Sequence, residues 1–584
     1  MAERSLDPQL SHSSERELSL SPEILHFSQS GSDSDTMSEE EAAPLLNPVQ
    51  DPLVGLDLDR LLVERLGEWG WYQRWVYLLV CLPAALTAAI TLASVFTAFS
   101  PAHRCLVPTC DSPDRPRYDD ATAFGFANFT EPLGSRGCRV FLPRDNSSHC
   151  SATSFSNTST DCPAGLLWDT QDMRTTLATE FSLTCGREWE LPASQSVFFA
   201  GVLVGAALFG WLADLLGRRP VFLACLLQTL VCGTAAALAP AFPVFMVAQF
   251  FTAMGQVGLF QTVFVLGVEC VGPGYRVLCG VVIEFFFVLG EAMLAGFAAL
   301  LRDWRHLQLA ATLPGLAFLS YYWLLPESLR WLLLTGRYSR ARAQLARLAR
   351  GNGVELPGPA ELSTYTKQEE EEEEVEGEGL LDIARRPALL GRLLNVFFNW
   401  FVITMIYYGL SLNSTSLAGD LFTNFLLVSL CELPGYAGAY LGMSLLGRRT
   451  TLAASLLTGG LGCLVSSLTQ SYISTSAFLL GKFGATAAFG TTYLYTSELF
   501  PTRVRNVCVG LSSMTGRLGG ILCPYVARLG TLTGLAWSPM AVFAAAATLS
   551  GLLTLALPET RGRQLPRTMM EAEQLGRRET QTQN

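Results

Sequence analysis

Long runs of apolar residues recur along this chain, and few polar positions interrupt them. The stretches from Trp75 to Phe99 and from Val221 to Pro240 contain no charged side chain. Each is long enough, as a helix of about 20 residues, to cross the roughly 30 Å hydrocarbon core of a bilayer. The pattern predicts twelve membrane helices, near residues 75–99, 192–213, 220–239, 242–266, 277–300, 306–325, 388–410, 421–443, 450–469, 477–496, 507–529 and 538–557.

Composition agrees with a chain that is solvated largely by lipid. Charged residues make up 16% of the chain, compared with roughly 25% in globular proteins. The net charge of −11 comes mainly from an acidic amino-terminal tail and the run from Glu369 to Glu378. No basic patch predicts nucleic-acid binding, and no phosphate-binding loop, metal-ligand spacing or nucleophile elbow predicts an enzyme or a resident cofactor.

The apolar helices divide the chain into five parts. Residues 1–66 are expected to form a disordered cytosolic tail, because they are rich in Ser, Glu, Asp and Pro. A first half of six helices covers residues 67–330 and includes a long outer loop at 100–190. A cytosolic linker with the acidic run covers residues 331–387, a second half of six helices covers 388–560, and a cytosolic tail covers 561–584.

Charge and cysteine usage orient these helices. Most arginines of the short connections fall on one side, which should be the cytosol because positive residues are retained there; they are Arg218, Arg219, Arg276, Arg448, Arg449, Arg503 and Arg505. The exceptions on the other side are Arg302 and Arg305, after the fifth helix. The long loop on the other side contains Cys105, Cys110, Cys138, Cys150, Cys162 and Cys185, and glycosylation sequons at Asn128, Asn146 and Asn157. A fourth sequon, Asn413, falls on the same predicted side. Both features are typical of an oxidising compartment, and six cysteines leave 15 disulfide pairings open.

The sequence repeats itself at a shift of about 230 residues. Gly217-Arg218-Arg219 matches Gly447-Arg448-Arg449, and Leu325-Pro326-Glu327 matches Leu557-Pro558-Glu559. Glu269, Pro273 and Arg276 match Glu498, Pro501 and Arg505. Three matches in one order and at nearly one offset indicate two related six-helix halves.

The charged motifs at the cytosolic helix ends predict a gate. Acidic and basic groups there can pair in one state of a rocking carrier and separate in the other. The predicted gating residues are Asp214, Arg218, Arg219, Glu269, Arg276, Glu327, Arg330, Arg448, Arg449, Glu498 and Arg505. Alternatively, the arginines anchor helix ends at the lipid headgroups.

Three segments carry a family resemblance. They are Trp211 to Arg219 (WLADLLGRR), Pro326 to Leu332 (PESLRWL) and Tyr495 to Asn506 (YTSELFPTRVRN), together with the cysteine-bearing first outer loop. With these motifs the chain resembles the organic cation, organic anion and carnitine/zwitterion transporter family of the major facilitator superfamily. The resemblance implies an all-α membrane protein with the twelve-helix fold of that superfamily, which works by alternating access.

Two further segments are most similar to the carnitine/zwitterion branch. They are Gly481 to Phe489 (GKFGATAAF) and Tyr407 to Leu412 (YYGLSL). Leu215 and Ser444 depart from the family pattern, since relatives commonly have a basic residue at the first position and an acidic residue at the second. The resemblance therefore predicts gating electrostatics that differ from those of its relatives.

Ionisable groups at membrane depth are costly and indicate a functional site. Arg517 lies in the eleventh helix, where the resemblance places arginine in anion and zwitterion carriers and aspartate in cation carriers. Its guanidinium can hold a carboxylate by two hydrogen bonds, or it can form a structural ion pair. Glu284 and Glu291 share one face of the fifth helix and can attract a cation, or they can neutralise Arg517 or Lys482. Lys482 can contact substrate or extend to the interface.

Aromatic and amide side chains complete the predicted substrate site. A quaternary ammonium is attracted to aromatic faces by about 2 kcal/mol when desolvated. The candidates are Trp400, Tyr407, Tyr408 and Phe489, which could equally be packing residues, and Gln256 could orient a polar group. Asn399 is a weaker candidate, expected near the outer apolar face of the seventh helix.

The sequence therefore predicts a secondary transporter of a carnitine-like zwitterion, with an organic anion exchanger or a non-transporting receptor as alternatives. Coupling to Na⁺ or H⁺ stays open. In the tail, Glu41-Ala42-Ala43-Pro44-Leu45-Leu46 matches an acidic dileucine signal for a sorting adaptor. This signal makes the endosomal or lysosomal membrane an alternative to the plasma membrane.

Overall fold

A computed structural model describes residues 52–575, apart from residues 109, 112–117, 119–129, 133–135, 145–149 and 367–378. Twelve long helical segments run through it. They are α1 (Trp71–Thr97), α2 (Glu190–Leu216), α3 (Arg218–Ala237), α4 (Phe242–Glu269), α5 (Arg276–Leu301), α6 (Trp304–Thr312, Leu313–Ser320 and Tyr321–Leu324), α7 (Pro387–Asn413), α8 (Leu421–Leu445), α9 (Arg448–Leu468), α10 (Ser471–Leu499), α11 (Thr502–Ala527) and α12 (Ser538–Thr554).

The predicted membrane helices are confirmed in number, and most of their ends lie within a few residues of the predicted ones. Eight of the described helices are long and apolar enough to cross a membrane by length and composition alone. The other four helices do not meet these criteria of length and composition, for local reasons. The middle of α6 is 3-10 helical from Leu313 to Ser320, with Pro314 at its start. Helix α12 has only 17 residues, whereas α10 and α11 contain Lys482, Arg517 and many hydroxyl side chains.

The repeated Gly-Arg-Arg motif makes the same turn in both halves. Gly217 joins α2 to α3 with φ 107°, and Gly447 joins α8 to α9 with φ 94°. A β-carbon at Gly217 would lie 2.6 Å from a carboxylate oxygen of Glu327, and one at Gly447 would lie 2.6 Å from Glu559. Glycine is required at both turns because of the positive φ and because the carboxylate of the repeated Leu-Pro-Glu motif packs against it.

The loop between α1 and α2 contains two small antiparallel sheets. Strand β1 (His103–Cys105) pairs with β4 (Leu166–Trp168), and β2 (Arg139–Pro143) pairs with β3 (Phe155–Asp161). Disulfides Cys105–Cys162, Cys110–Cys150 and Cys138–Cys185 hold the sheets together. These bonds confirm that the loop cysteines are paired and select one of the pairings that the sequence left open. We call the end of the helix bundle that carries this loop the outer end and the opposite end the inner end.

Two of the predicted glycosylation sites lie in the described residues. Asn157 is exposed on β3. Asn413 is buried at the end of α7, where it is only 9% exposed and its side-chain oxygen accepts a hydrogen bond from Ser416. A glycan on Asn413 would displace this packing, so the structure argues against that site. Asn128 and Asn146 lie outside the described residues.

The first described residues are ordered, which corrects the predicted extent of the disordered tail. Leu58–Leu61 and Leu62–Leu66 are helical, and Leu58, Leu61, Leu62 and Leu66 are buried. They pack against the linker helices Leu329–Leu334 and Tyr338–Asn352 in one apolar cluster. The prediction was wrong here because it used the average composition of residues 1–66, which is polar. The leucines of this short amphipathic stretch are buried by residues of the linker.

The two halves are joined mainly at the outer end. One buried apolar cluster there includes Phe96 of α1, Phe198 of α2 and Phe425 of α8. Arg528, next to the end of α11, donates a hydrogen bond to the carbonyl of Ala98 at 2.5 Å. At the inner end, the buried clusters of the described residues each belong to one half. The contacts therefore close the outer end more firmly than the inner end.

Candidate functional site

A buried ion pair lies in the middle of the second half. Lys482 of α10 and Glu432 of α8 are both 0% exposed, and the Lys482 Nζ atom lies 2.7 Å from Glu432 Oε1. The same nitrogen donates to Ser411 Oγ at 2.7 Å and sits 3.6 Å from the centre of the Tyr407 ring. The sequence-based alternative that Lys482 extends to the membrane interface is wrong, because its ammonium is fully enclosed by these partners.

Tyr407 binds both members of this pair. Its hydroxyl donates to Glu432 Oε2 at 2.7 Å, its ring lies against the ammonium, and Phe489 stacks on the ring with 5.2 Å between centroids. A charge in a low-dielectric interior is tolerated only when it is paired and hydrogen-bonded. The described hydrogen bonds and ion pairs of Tyr407 and Lys482 are with each other and with Glu432 and Ser411, and Tyr407 is only 2% exposed.

Glu291 of α5 brings a second carboxylate to this cluster from the first half. Its side chain is 1% exposed, and it lies on a helix that packs against α8. Its Oε1 atom has no hydrogen-bond partner within the described part of the chain. Two turns towards the inner end, the half-buried Glu284 accepts a hydrogen bond from Tyr436 Oη of α8 at 3.3 Å. Both glutamates of α5 therefore face the second half.

Arg517 lies near the middle of α11 and is half-buried. Among the described residues it forms no ion pair, and its buried Nε atom has no hydrogen-bond partner. It lies close enough to Tyr408 of α7 for its charge to act on the phenol, as Glu284 and Glu291 also do. The alternative in which Arg517 neutralises Glu284 or Glu291 through a direct ion pair is therefore absent from this part of the structure.

The remaining aromatic candidates differ in exposure. Trp400 is 0% exposed and donates from Nε1 to Thr496 Oγ1 at 3.0 Å, so it is a packing residue in this conformation. Tyr493, which the sequence reasoning did not single out, is 39% exposed and lies 4.4 Å from the Trp400 ring. Tyr408 and Phe489 are half-buried, and the Tyr408 ring lies 4.8 Å from Phe199 of α2. Tyr408 of the second half thus contacts Phe199 of the first half.

The two amide candidates are buried in separate places. Gln256 of α4 donates to Thr91 Oγ1 of α1 at 2.7 Å, and its own side-chain oxygen has no partner among the described residues. Asn399 is 1% exposed, donates to Asn395 and accepts from Ser550 of α12. Asn399 thus connects α7 to α12 and does not lie on an outer apolar face as expected.

The charged motif of the first half forms one cluster at the inner end. The Arg218 Nη2 atom lies 3.0 Å from Asp214 and 3.1 Å from Glu269. The backbone N–H groups of Arg218 and Arg219 donate to Glu327 at 2.9 and 3.3 Å. Carboxylates are favoured at this position because the amino-terminal end of α3 is electropositive.

The second half repeats the cluster with one difference. Arg448 pairs with Glu498 at 3.0 Å, and the backbone N–H groups of Arg448 and Arg449 donate to Glu559 at 2.8 and 3.1 Å. Ser444, which stands where the first half has Asp214, bonds only to the carbonyl of Leu441 among its described contacts. Each described ion pair of these motifs joins elements of one half, and their predicted role as a gate between the halves stays a prediction.

Three further arginines at the inner end differ in their described partners. Arg276 lies 2.6 Å from Asp59 of the amino-terminal helix, and Arg330 contacts the same carboxylate. Arg505, the counterpart of Arg276, has Nε and Nη2 atoms that are buried without a partner in the described chain. Burial acts to raise the pKa of Asp59, but hydrogen bonds and charges from Arg330 and Arg276 lower it below its ordinary value. Asp59 was missed because it lies in the segment expected to be disordered.

Glu432 is the principal residue that the sequence reasoning missed. It is the one Asp, Glu, Lys or Arg within the apolar segment 421–443, so the criterion applied to Arg517 and Glu291 would have found it. In the outer loop, His103 lies near Cys138 and Cys185, but these cysteines are bonded to each other and cannot both act as thiolate ligands.

Comparisons with known proteins agree with this architecture. The sequence profile of the sugar (and other) transporter family matches residues 157–570. An organic cation transporter protein of Drosophila melanogaster is 34% identical over 531 residues, covering 88% of this chain and 94% of the relative. The human organic cation/carnitine transporter 2 is 33% identical, covering 86% of this chain and 92% of the relative. Rat solute carrier family 22 member 3 is 33% identical, with 88% and 95% covered.

Solved structures show the same fold. The xylose transporter XylE from E. coli, in an inward open conformation, aligns with a TM-score of 0.56 at 16% identity and covers 86% of this chain and 100% of the other. At this identity the likeness concerns the fold alone. Together with the helix bounds, it confirms two six-helix halves of the major facilitator type.

Proposed function

Because this chain belongs to the organic cation/carnitine transporter family of the major facilitator superfamily, a family of multi-pass membrane transporters, we propose that it carries a small zwitterion that has both a carboxylate and a quaternary ammonium. The proposal assigns the carboxylate to Arg517 and the ammonium to the aromatic and acidic groups around Tyr408. Transport proceeds by alternating access between the two halves.

The observation that supports the proposal is that Arg517 has no described ion-pair partner. Its guanidinium is half-buried at membrane depth, and within the described chain it has no carboxylate partner. An arginine held there without a partner costs free energy, which a bound carboxylate would recover by two charge-assisted hydrogen bonds. Lys482 differs from Arg517, because Glu432 already neutralises it.

The opposite charge for the ammonium is supplied from the other half. Glu284 is half-buried, and Tyr436 of α8 holds its carboxylate. The half-exposed rings of Tyr408, Phe489 and Tyr493 present negative faces that attract a cation by about 2 kcal/mol at a desolvated site. Both poles of a zwitterion therefore have a partner around Tyr408.

The experiment compares three labelled substrates in proteoliposomes that contain the purified full-length chain. They are L-carnitine, its methyl ester, and a dicarboxylate of similar length. We expect saturable uptake of carnitine, and at least tenfold weaker uptake of the ester, because a lost charge-assisted hydrogen bond costs about 1.5–3 kcal/mol. Preferred uptake of the dicarboxylate would favour an organic anion exchanger, and no flux of any of the three would favour a receptor.

The membrane in which the protein works is a separate proposal. The acidic dileucine at Glu41, Leu45 and Leu46 lies outside the described residues and supports delivery to endosomes or lysosomes by an adaptor. Replacing Leu45 and Leu46 by alanine should then shift the protein to the plasma membrane, as measured by surface biotinylation. An unchanged distribution would show that Leu45 and Leu46 do not act as a sorting signal.

A further inference from the structure

The linker helix Tyr338–Asn352 is positively charged along its outward side. Arg340, Arg347 and Arg350 are exposed there, and at 3.6 residues per turn they lie within about 80° of one another around the helix axis. The buried residues of the helix lie on the opposite side and pack against the amino-terminal helix; they are Ala341, Leu345, Leu348 and Ala349. We call the exposed side with the three arginines the arginine face.

The arginine face has no acidic partner of its own. The segment 336–354 contains five arginines and neither aspartate nor glutamate. Two acidic residues of the segments that pack beside this helix are already engaged, because Glu64 pairs with Arg60 and Glu361 pairs with Arg65. A face of one charge sign without neutralising groups attracts an anionic surface.

The position of the helix brings this face close to the membrane. At its start, Arg337 lies over the ring of Trp331 at 4.4 Å from the centroid, and Trp331 Nε1 donates to the Asp214 carbonyl near the end of α2 at 2.8 Å. At its end, Asn352 Oδ1 accepts a hydrogen bond from the backbone N–H of Tyr72, at the start of α1, at 3.0 Å. The helix therefore runs across the inner end of the bundle, at the depth where α1 begins and α2 ends.

Exposed tryptophans identify this depth as the headgroup region. Trp71 and Trp75 in the first two turns of α1 are 76% and 55% exposed, and Trp211 near the end of α2 is 62% exposed. Tryptophan concentrates at membrane–water interfaces, where the ring contacts acyl chains and the N–H group meets water. The anionic surface nearest to the arginine face is thus the layer of lipid headgroups at the inner end.

We propose that the arginine face binds anionic phospholipid headgroups of the inner leaflet. A guanidinium donates two parallel hydrogen bonds to the oxygens of a phosphate or carboxylate. Arg347 and Arg350 are one turn apart and can share a headgroup, whereas Arg340 lies two turns away from Arg347 and binds another. Lipid bound in this way holds the linker helix, and with it the amino-terminal helix, against the membrane. The inference is independent of the substrate.

Hydrogen exchange of the full-length protein in nanodiscs tests this proposal. Nanodiscs of phosphatidylcholine alone are compared with nanodiscs that also contain phosphatidylserine. We expect exchange in residues 338–352 to be about threefold slower or more with phosphatidylserine, because each arginine near an anionic surface adds to the attraction. High salt should remove the difference, since it screens exposed charges. Protection of the same residues by free inorganic phosphate in phosphatidylcholine nanodiscs would overturn the lipid assignment.

Substitution of the arginine face separates its charge from its role in folding. The triple variant Arg340→Gln, Arg347→Gln, Arg350→Gln should exchange equally in both lipids, whereas the corresponding triple lysine variant should keep the difference because it keeps the charge. Arg139→Gln, at an exposed position in the outer loop, is the matched control and should also keep it. Equal exchange of the wild type in both lipids, or a lipid difference that persists in the triple glutamine variant, would overturn the proposal.

Discussion

At the scale of single residues, the best-defined feature of the candidate site is the ion pair of Lys482 and Glu432, whose side chains are both 0% exposed. Arg517, Lys482 and Glu291 stand out because ionisable groups are rare at membrane depth. Glu432 satisfies the same rule and was overlooked. Which carboxylate neutralises Lys482 depends on how α8 and α10 pack, and no pattern within either helix specifies that geometry.

The cluster predicts an asymmetry between two neutralising substitutions. Lys482→Met leaves Glu432 and Glu291 without a cation, so we expect a loss of roughly 3–5 kcal/mol of stability, typical of a broken buried ion pair. Glu432→Gln should cost less, because the Glu291 carboxylate can replace Glu432 as the partner of Lys482. The melting temperatures of the two purified variants in detergent measure the difference. Equal losses would show that Glu291 does not interact with Lys482.

At the scale of helices and segments, apolar length predicted the twelve helices well because crossing a bilayer fixes their minimum length. Sequence could not predict the helical structure at Leu58–Leu66, since its leucines are buried by linker helices that lie far along the chain. The disulfide pairing was likewise open, because it depends on how the two small sheets of the loop form.

Docking of the amino-terminal helix should depend on Asp59. The lowered pKa of Asp59 shows that Arg330 and Arg276 stabilise its ionised form. This contribution is present above the ordinary carboxyl range and is lost as pH falls through the lowered pKa of the folded state. Asp59→Asn should therefore speed hydrogen exchange in residues 52–66 at neutral pH.

The matched control for this change is Glu64→Gln, which removes a partner of the exposed Arg60 on the same helix. Exchange in residues 52–66 should be unchanged in this variant, because exposed pairs contribute little. Equal exchange in the wild type and Asp59→Asn would show that the apolar contacts alone hold the helix.

Close packing of α1 against α5 gives a second test at this scale. A β-carbon on Gly290 would lie 2.0 Å from the Ala85 carbonyl oxygen, whereas nothing lies within 4 Å of one on Gly296 of the same helix. Gly290→Ala should cost about 1–3 kcal/mol through overpacking. Gly296→Ala should be neutral or slightly stabilising, because alanine favours the helix. A comparison of melting temperatures checks both, and similar values for the two variants would contradict the described α1–α5 contact.

At the scale of the whole molecule, the internal repeat correctly indicated two halves, and the repeated motifs build nearly the same inner-end cluster twice. The motifs do not show how the halves contact each other. In the structure the joining apolar contacts concentrate at the outer end, while the described ion pairs of the inner-end motifs stay within each half. A carrier of this kind is expected to rock about the middle of the interface, where α5 meets α8 and the charged groups lie.

The central claim, that Arg517 selects a substrate by its carboxylate, is tested most directly by reversing the charge of that one residue. Uptake of labelled carnitine and of its methyl ester is measured in proteoliposomes for the wild type, Arg517→Lys and Arg517→Asp. The account predicts that Arg517→Asp loses carnitine uptake and takes up the cationic ester, while Arg517→Lys keeps the wild-type preference at lower affinity. An unchanged preference for carnitine in Arg517→Asp would contradict it.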